Sequence, residues 1–380
     1  AGQGLLLGAS AAAAFAMIAL ALILILSLSA LTIALAVLMV SAAMMDRRFN
    51  IPALGWFLAL ASMALSWRII VDPGLSWLLG WDGSGGATSF EVVISLVAAL
   101  GGPLVTVLLL AGLPPTKQRG WTGMVVETGL SGLIPVALMI VFARFLGDAL
   151  SIHAHLGLQA GVFMSLAWVQ WQRAQRSPDS RILSLVRYGL SLIFGAGAVL
   201  LVGVTTTLFS PLFSQGFLGD PVKGTKIVND LILAYALPAG ILLWILRAHK
   251  SRAATVGRVG AGLLLAYWIA ATIRHIWQGA NGMAVSTGFA QGELYAYTVA
   301  LLIAGAAALG SALRLGRSGL RIVGLALIAT AAAKAFLVDA SGLTGLMRVG
   351  AFLALGLSLA GLAWLNAWVS ARVDSQRNTD

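Results

Sequence analysis

GLLLGASAAAAFAMIALALILILSLSALTIALAVLMVSAAMM, residues 4–45, carries no ionisable side chain and is too long for one membrane crossing. A helix rises ~1.5 Å per residue, so ~20 apolar residues cross a ~30 Å hydrocarbon core. The stretch therefore divides into two crossings. The break is expected near Ser27 and Ser29, where the aliphatic run is interrupted and a tight turn can form. The whole chain shares this character: of 380 residues 59% are hydrophobic and 10% charged, against ~45–50% and ~25% in globular domains. A soluble protein is excluded.

Further apolar runs lie at 52–71, 90–113, 121–146, 149–171, 182–208, 227–246, 256–277, 294–313, 320–338 and 349–369. They predict an all-α polytopic bundle of about twelve spans, forming one transmembrane domain over residues 1–380. Charge supplies a check that played no part in choosing the spans. Exits from even-numbered spans carry Arg47 and Arg48, Lys117 and Arg119, Arg173, Arg176 and Arg181, then Arg247, Lys250 and Arg252, Arg314 and Arg317, and Arg372 and Arg377. With Arg187, Arg258 and Arg321, one face holds 17 of the 24 Lys and Arg. Basic loops stay inside, so both termini are expected on the cytoplasmic side of a bacterial inner membrane. The net charge of +11 is thereby accounted for without nucleic acid, since no basic tail or soluble groove is present to bind one. Cysteine is absent, which excludes disulfides and thiolate chemistry. The chain begins at Ala1 without Met or a basic n-region, as a processed, truncated or fragmentary chain would.

The opposite face gathers 8 of the 13 acids, Asp82 and Glu91 among them, and its seven bases each lie near one of the other six: Arg68 with Asp72, Arg144 with Asp148, Lys223 with Asp220, Lys226 with Asp230, Arg274 with Glu293, and Lys334 and Arg348 about Asp339. Near hydrocarbon a charge is tolerable when paired or snorkelling, so these are expected to form local ion pairs or to anchor helix ends. Small residues at Gly257, Gly260, Ala261, Gly262, Gly350, Ala354, Gly356 and Ala360 are expected to mark close helix packing. Pro103, Pro135 and Pro238 lie within spans, where each frees a carbonyl. His153 and His155, two apart, do not share a helical face and cannot chelate one metal, and no metal or cofactor is expected. Glu127 lies inside the fifth span with no base within a turn, so it either carries a proton or accepts a hydrogen bond from Thr128 or another helix.

The densest polar set is C-terminal. It runs YWIAATIRHIWQG at 267–279, an uncharged loop, GELYAY at 292–297, then Lys334, Asp339 and Arg348. Lys334 lies five residues before Asp339, about 7.5 Å deeper. If Arg348 pairs with Asp339 across the turn, Lys334 must find Glu293 or a backbone carbonyl. Arg274, His275, Lys334 and Arg348 would suit an anionic headgroup or phosphate, while Trp277, Tyr295 and Tyr297 would stack on a sugar or form an interfacial belt.

These stretches, with RSGLRIVGLALIATAAAKAFLVDASGLTGLMR at 317–348 and GLSLAGLAWL at 356–365, resemble the C-terminal part of the bacterial membrane proteins grouped as domain of unknown function 2339. The specific part is the K-x-F-L-x-D-x-S-x-L-x-G-L-x-R pattern from Lys334 to Arg348, and 265–370 is the segment carrying the likeness. The resemblance implies many spans and an inner-membrane address, with no established activity. Family members commonly have further spans upstream, and their aromatic and basic ending is replaced here by NAWVSARVD.

Three functional classes remain. A transport or translocation component would engage an envelope lipid-linked or saccharide molecule through Arg274, His275, Glu293, Tyr295, Lys334, Asp339 and Arg348. A non-catalytic scaffold or accessory subunit would dock a periplasmic or membrane partner, its charges only fixing helix packing. A membrane-embedded glycosyl or acyl transferase would use Asp72, Asp82 or Glu91 in a long outer loop, and no second motif supports that.

Overall fold

The computed structural model describes residues 2–81, 83, 85–113, 119–176, 181–213, 220–316, 318–338, 349, 353, 356–361, 363 and 364. Its helices are α1 (Gly2–Ile25), α2 (Leu28–Phe49), α3 (Leu54–Ile70), α4 (Gly74–Leu79), α5 (Ser89–Ala111), α6 (Gly120–Val141), α7 (Ile152–Gln175), α8 (Arg181–Thr206), α9 (Leu237–Leu246), α10 (Arg252–Gln278), α11 (Gln291–Leu315) and α12 (Ser318–Leu337). Among the described residues nine helices are long and apolar enough to cross a membrane, and Leu54–Ile70 and Ile232–Leu246 are shorter apolar helices at the third and eighth expected crossings. The twelfth expected span, 349–369, lies largely outside the described residues. Beyond a single bridge between Gly224 and Asn229, no strand forms among the described residues. The fold is an all-α membrane bundle.

The first break falls where expected. Leu26 and Ser27 leave the helix, and Leu28, the first residue of α2, takes a positive φ. The eighth crossing starts later than its hydropathy indicates. Ile227 and Val228 sit at the tip of a turn in which Thr225 N–H donates to Val228 O (2.8 Å) and Val228 N–H to Thr225 Oγ1 (3.0 Å). The helix instead opens with a π-helical segment, Ile232–Ala236, and becomes α-helical as Pro238 enters its first turn. A proline there has no N–H to donate, so it starts a helix at little cost where further in it would break one.

The chain forms two compact units, Ala1–Ser210 with Ile232–Gly262, and Pro211–Leu231 with Leu263–Asp380, so the division passes through α10. In the first unit α2, α3, α5 and α6 enclose a core including Met39, Leu54, Leu58 and Leu65. At the α2–α5 crossing, a Cβ on Gly102 would lie 3.0 Å from Ala36 Cβ. Only glycine allows that backbone approach, which supplies dispersion contact where no hydrophobic force joins helices in lipid. In the second unit α11 and α12 meet through facing glycines: a Cβ on Gly305 would lie 2.6 Å from Ile328, and one on Gly324 2.9 Å from the Gly305 carbonyl. Of the glycines expected to mark packing, Gly257 does abut Leu246, whereas Gly260, Gly262 and Gly356 face open space. Gly350 is not described. Spacing alone cannot say which face of a helix meets a neighbour.

Candidate functional site

The polar cluster of the second unit is built on the last turn of α10 and the first turns of α11. Gly279, at φ +71°, turns the chain out of α10, and its N–H donates to His275 O (3.0 Å). The loop to α11 folds back over Arg274, whose side chain is 1% exposed. Nε donates to Met283 O (2.6 Å) and Nη1 to Glu293 Oε1 (2.8 Å). Nη2 reaches Ala284 O, Thr287 Oγ1 (2.9 Å) and Gly288 O (3.1 Å). The Phe289 ring lies 5.0 Å from the guanidinium carbon. A buried guanidinium is tolerable only when its fork is satisfied, and three loop carbonyls with one carboxylate satisfy it.

Glu293 is equally occupied. Oε1 accepts from Arg274 and from Tyr297 OH (2.8 Å), and Oε2 from Gln278 Nε2 (2.8 Å) and Ala290 N–H (3.3 Å). The last of these is half of a capping box. The reciprocal half is absent because Ala290 has no side-chain oxygen. Four donors fill a carboxylate's two oxygens, so Glu293 has no lone pair left for a substrate.

The remaining expected site residues go to different places. His275 follows Arg274 by one residue, about 100° around the helix, and is buried against the 220–231 turn, with Nδ1 3.3 Å from Asn229 Nδ2. Lys334 reaches α11 one turn deeper, donating to Leu294 O (2.7 Å) and Thr298 Oγ1 (2.9 Å). That is the backbone-carbonyl partner, not Glu293. Tyr295 and Trp277 stay partly exposed, with Trp277 seated over Gly292. Asp339 and Arg348 lie outside the described residues, and so does their expected pairing. Gln278, Thr287 and Asn229 complete the cluster. Only Gln278 had a sequence signal, lying one helical turn after Arg274 in RHIWQ.

Other expected pairs divide. Arg68 meets Asp72 at 3.6 Å and also donates to Leu28 O (2.7 Å), whereas Arg144 donates to Ala87 O (2.6 Å). Glu127 has no base within a turn, and its partners come from other helices. Arg173 and Arg187 both pair with its Oε2, the latter at 3.5 Å, because α7 and α8 bring distant residues to α6. Asp46, fully buried, holds Arg119 in a fork at 2.8 and 3.1 Å. Glu91 closes a capping box with Thr88, so its carboxylate starts α5. Asp82 is outside the described residues. His153 and His155 are buried, the latter stacked on Phe142 at 4.1 Å.

The family model described as "Predicted membrane protein (DUF2339)" matches residues 1–368, well beyond the C-terminal stretch in which the likeness is plain by motif. Comparison with curated proteins and with solved structures returns no match.

Proposed function

The chain belongs to the family of predicted membrane proteins DUF2339, and from that premise we propose that it is a non-catalytic multi-pass component of the bacterial inner membrane that docks a periplasmic or membrane protein partner. The observation that carries this is the Arg274 clamp: a guanidinium with its donors bound inside one loop and one ion pair fixes a surface and leaves no charge for a ligand. Around it, Phe289, Trp277 and Tyr295 remain partly exposed, and Ile227 and Val228 at the turn tip are 72% and 69% exposed. A rigid cap with apolar groups outward binds a partner without ordering cost.

A photo-crosslinking residue at Val228 or Phe289 in the full chain tests this, with Leu263, exposed on α10, as the lipid-facing control. Discrete protein adducts at the first two sites and not at the third are expected. Adducts at none, or equally at all, would end the docking reading. A second reading, transport of a lipid-linked or saccharide envelope molecule, is favoured by a cleft of about 750 Å³ in the first unit, between α7 and the segment 232–246 and lined by Trp168, Gln172, Ile241 and Trp244. Its test is substrate flux in vesicles, with Gly240→Leu, which would fill the cleft where a Cβ meets nothing within 4 Å, expected to abolish movement while leaving the protein inserted.

A further inference from the structure

The first unit carries a second cleft, of about 430 Å³, walled by α7, α8, α9 and the start of α10. Its shaft is apolar: Met164, Trp168 and Trp171 on α7 face Gly195 and Val199 on α8. From Trp171 to Met164 it rises about 10 Å, at ~1.5 Å per residue. Its mouth is formed by the α9–α10 turn, through His249 and Ser251. The His249 ring stands edge-on to Trp168 at 5.0 Å, and its Nδ1 is buried without a hydrogen-bond partner. Ser251 caps α10, accepting from Ala254 N–H at 3.1 Å, so the positive end of a 27-residue helix meets the mouth.

Several cations lie beside this mouth in sequence, and they are met differently from Arg119, Arg173 and Arg187. Arg119 is neutralised by Asp46, and Arg173 and Arg187 share Glu127. Among the described residues no carboxylate forms an ion pair with Arg247, Lys250, Arg252 or Arg258. Arg258 leans back to donate to His249 O (3.1 Å), and Arg247 lies over Trp244 at 5.1 Å. Arg258, bonded to the His249 carbonyl, and a helix N-terminus therefore stand at the opening of an apolar shaft, with Arg247, Lys250 and Arg252 adjoining the His249–Ser251 turn in sequence, on the face that the distribution of Lys and Arg assigns to the cytoplasm.

We propose that this cleft is a binding site for an anionic glycerophospholipid of the inner leaflet, its phosphate held at the His249–Ser251 turn by Arg258 and its neighbours and one acyl chain lying against Trp168 and Trp171. Two features require this class together. The shaft excludes a free phosphate from most of its length, and the cations disfavour a zwitterionic headgroup. The assignment is independent of the docking cap in the second unit.

The test uses the full chain in nanodiscs containing phosphatidylglycerol or phosphatidylcholine, each with a photoactivatable acyl chain, and maps the labelled peptides. Phosphatidylglycerol is expected to label the α7 segment around Trp168 in preference to phosphatidylcholine, by about fivefold for each cation that contributes. Replacing Arg247, Lys250, Arg252 and Arg258 together by Ala should keep the labelling but remove the preference. Gly195→Leu should abolish labelling with either lipid. A Cβ at Gly195 meets nothing within 4 Å, so this variant fills the shaft without disturbing the helices. Equal labelling by both lipids in the native chain, or labelling unaffected by Gly195→Leu, would overturn the site. Displacement by a polyprenyl phosphate at concentrations where phosphatidylglycerol fails to compete would overturn the glycerophospholipid assignment.

Discussion

Arg274 Nη1 and Glu293 Oε1 stand 2.8 Å apart with side-chain exposures of 1% and 0%, so the pair joining α10 to α11 is closed to solvent and lipid alike. Its two halves do different work. Glu293 supplies the charge that makes a buried guanidinium tolerable, and Arg274 supplies donors to the loop carbonyls of Met283, Ala284 and Gly288, the second of which also accepts from Thr287.

Removing either charge alone should therefore be severe. Arg274→Ala or Glu293→Ala is expected to cost roughly 3–5 kcal/mol, the usual penalty for stranding a buried ion. Arg274→Met combined with Glu293→Leu should recover much of that, since apolar groups of like size often replace a buried pair without loss. The loop 279–290 should become protease-sensitive in Arg274→Ala and remain so in the double variant, because the Met283 and Gly288 carbonyls lose their Arg274 donor in both. Thermal unfolding in mild detergent and limited proteolysis separate the two effects. A double variant whose loop resists protease like the native chain would show that Arg274 does not hold the loop.

The crossings up to residue 338 were legible because a run of ~20 apolar residues is a property of one segment, and each expected crossing has a described helix at its place. The Arg274–Glu293 pair was legible for a related reason: a single short loop separates the partners. The basic-face pairs were not. Asp46 lies beside Arg47 and Arg48 in sequence yet binds Arg119, and Glu127 has its bases on two other helices. Local order says which groups need a partner, and tertiary packing decides which partner they meet. Ile227 and Val228 misled for the converse reason. Hydropathy counts them into a span, but Gly224 at φ +111° and the Thr225 hydroxyl close a turn there first.

The Asp46 fork makes a sharp comparison between two cations of equal charge. Arg119 offers Nε and Nη2 to the two oxygens of Asp46 and reaches Asn50 Oδ1 at 3.0 Å with the same Nη2. Lysine has no planar fork, so Arg119→Lys should lose about 1–2 kcal/mol although the charge is kept. Asp46→Ala should lose more and shift the unfolding temperature further, because the mostly buried arginine then loses its carboxylate. Equal shifts for the two variants would mean that charge alone, without geometry, holds α2 to the start of α6.

Two adjacent glycines of α5 should respond in opposite directions. A Cβ on Gly101 meets nothing within 4 Å, whereas one on Gly102 would press on the Ala36 backbone at 3.2 Å. Gly101→Ala gains helix propensity and is expected to stabilise by up to about 1 kcal/mol. Gly102→Ala must part α2 from α5 and is expected to cost about 1–3 kcal/mol. Unfolding temperatures in the same detergent decide it, and a stabilising Gly102→Ala would mean that the two helices are free to separate.

Sidedness can be read with single cysteines, because the native chain has none and any introduced thiol reports alone. Arg48 ends α2 on the basic face, exposed and clear of the Asp46–Arg119 fork, while Lys226 sits at the exposed turn beside Ile227. If the excess of Lys and Arg orients the chain by the positive-inside rule, the first of these faces is cytoplasmic. In intact cells a membrane-impermeant maleimide should label Lys226→Cys at once and reach Arg48→Cys only after permeabilisation. Both positions lie outside their helix interiors or at a helix end, so neither change threatens folding. Labelling of Arg48→Cys from outside would invert the orientation, move the His249–Ser251 turn to the outer leaflet, and place the Arg274 cap where a periplasmic partner could not reach it.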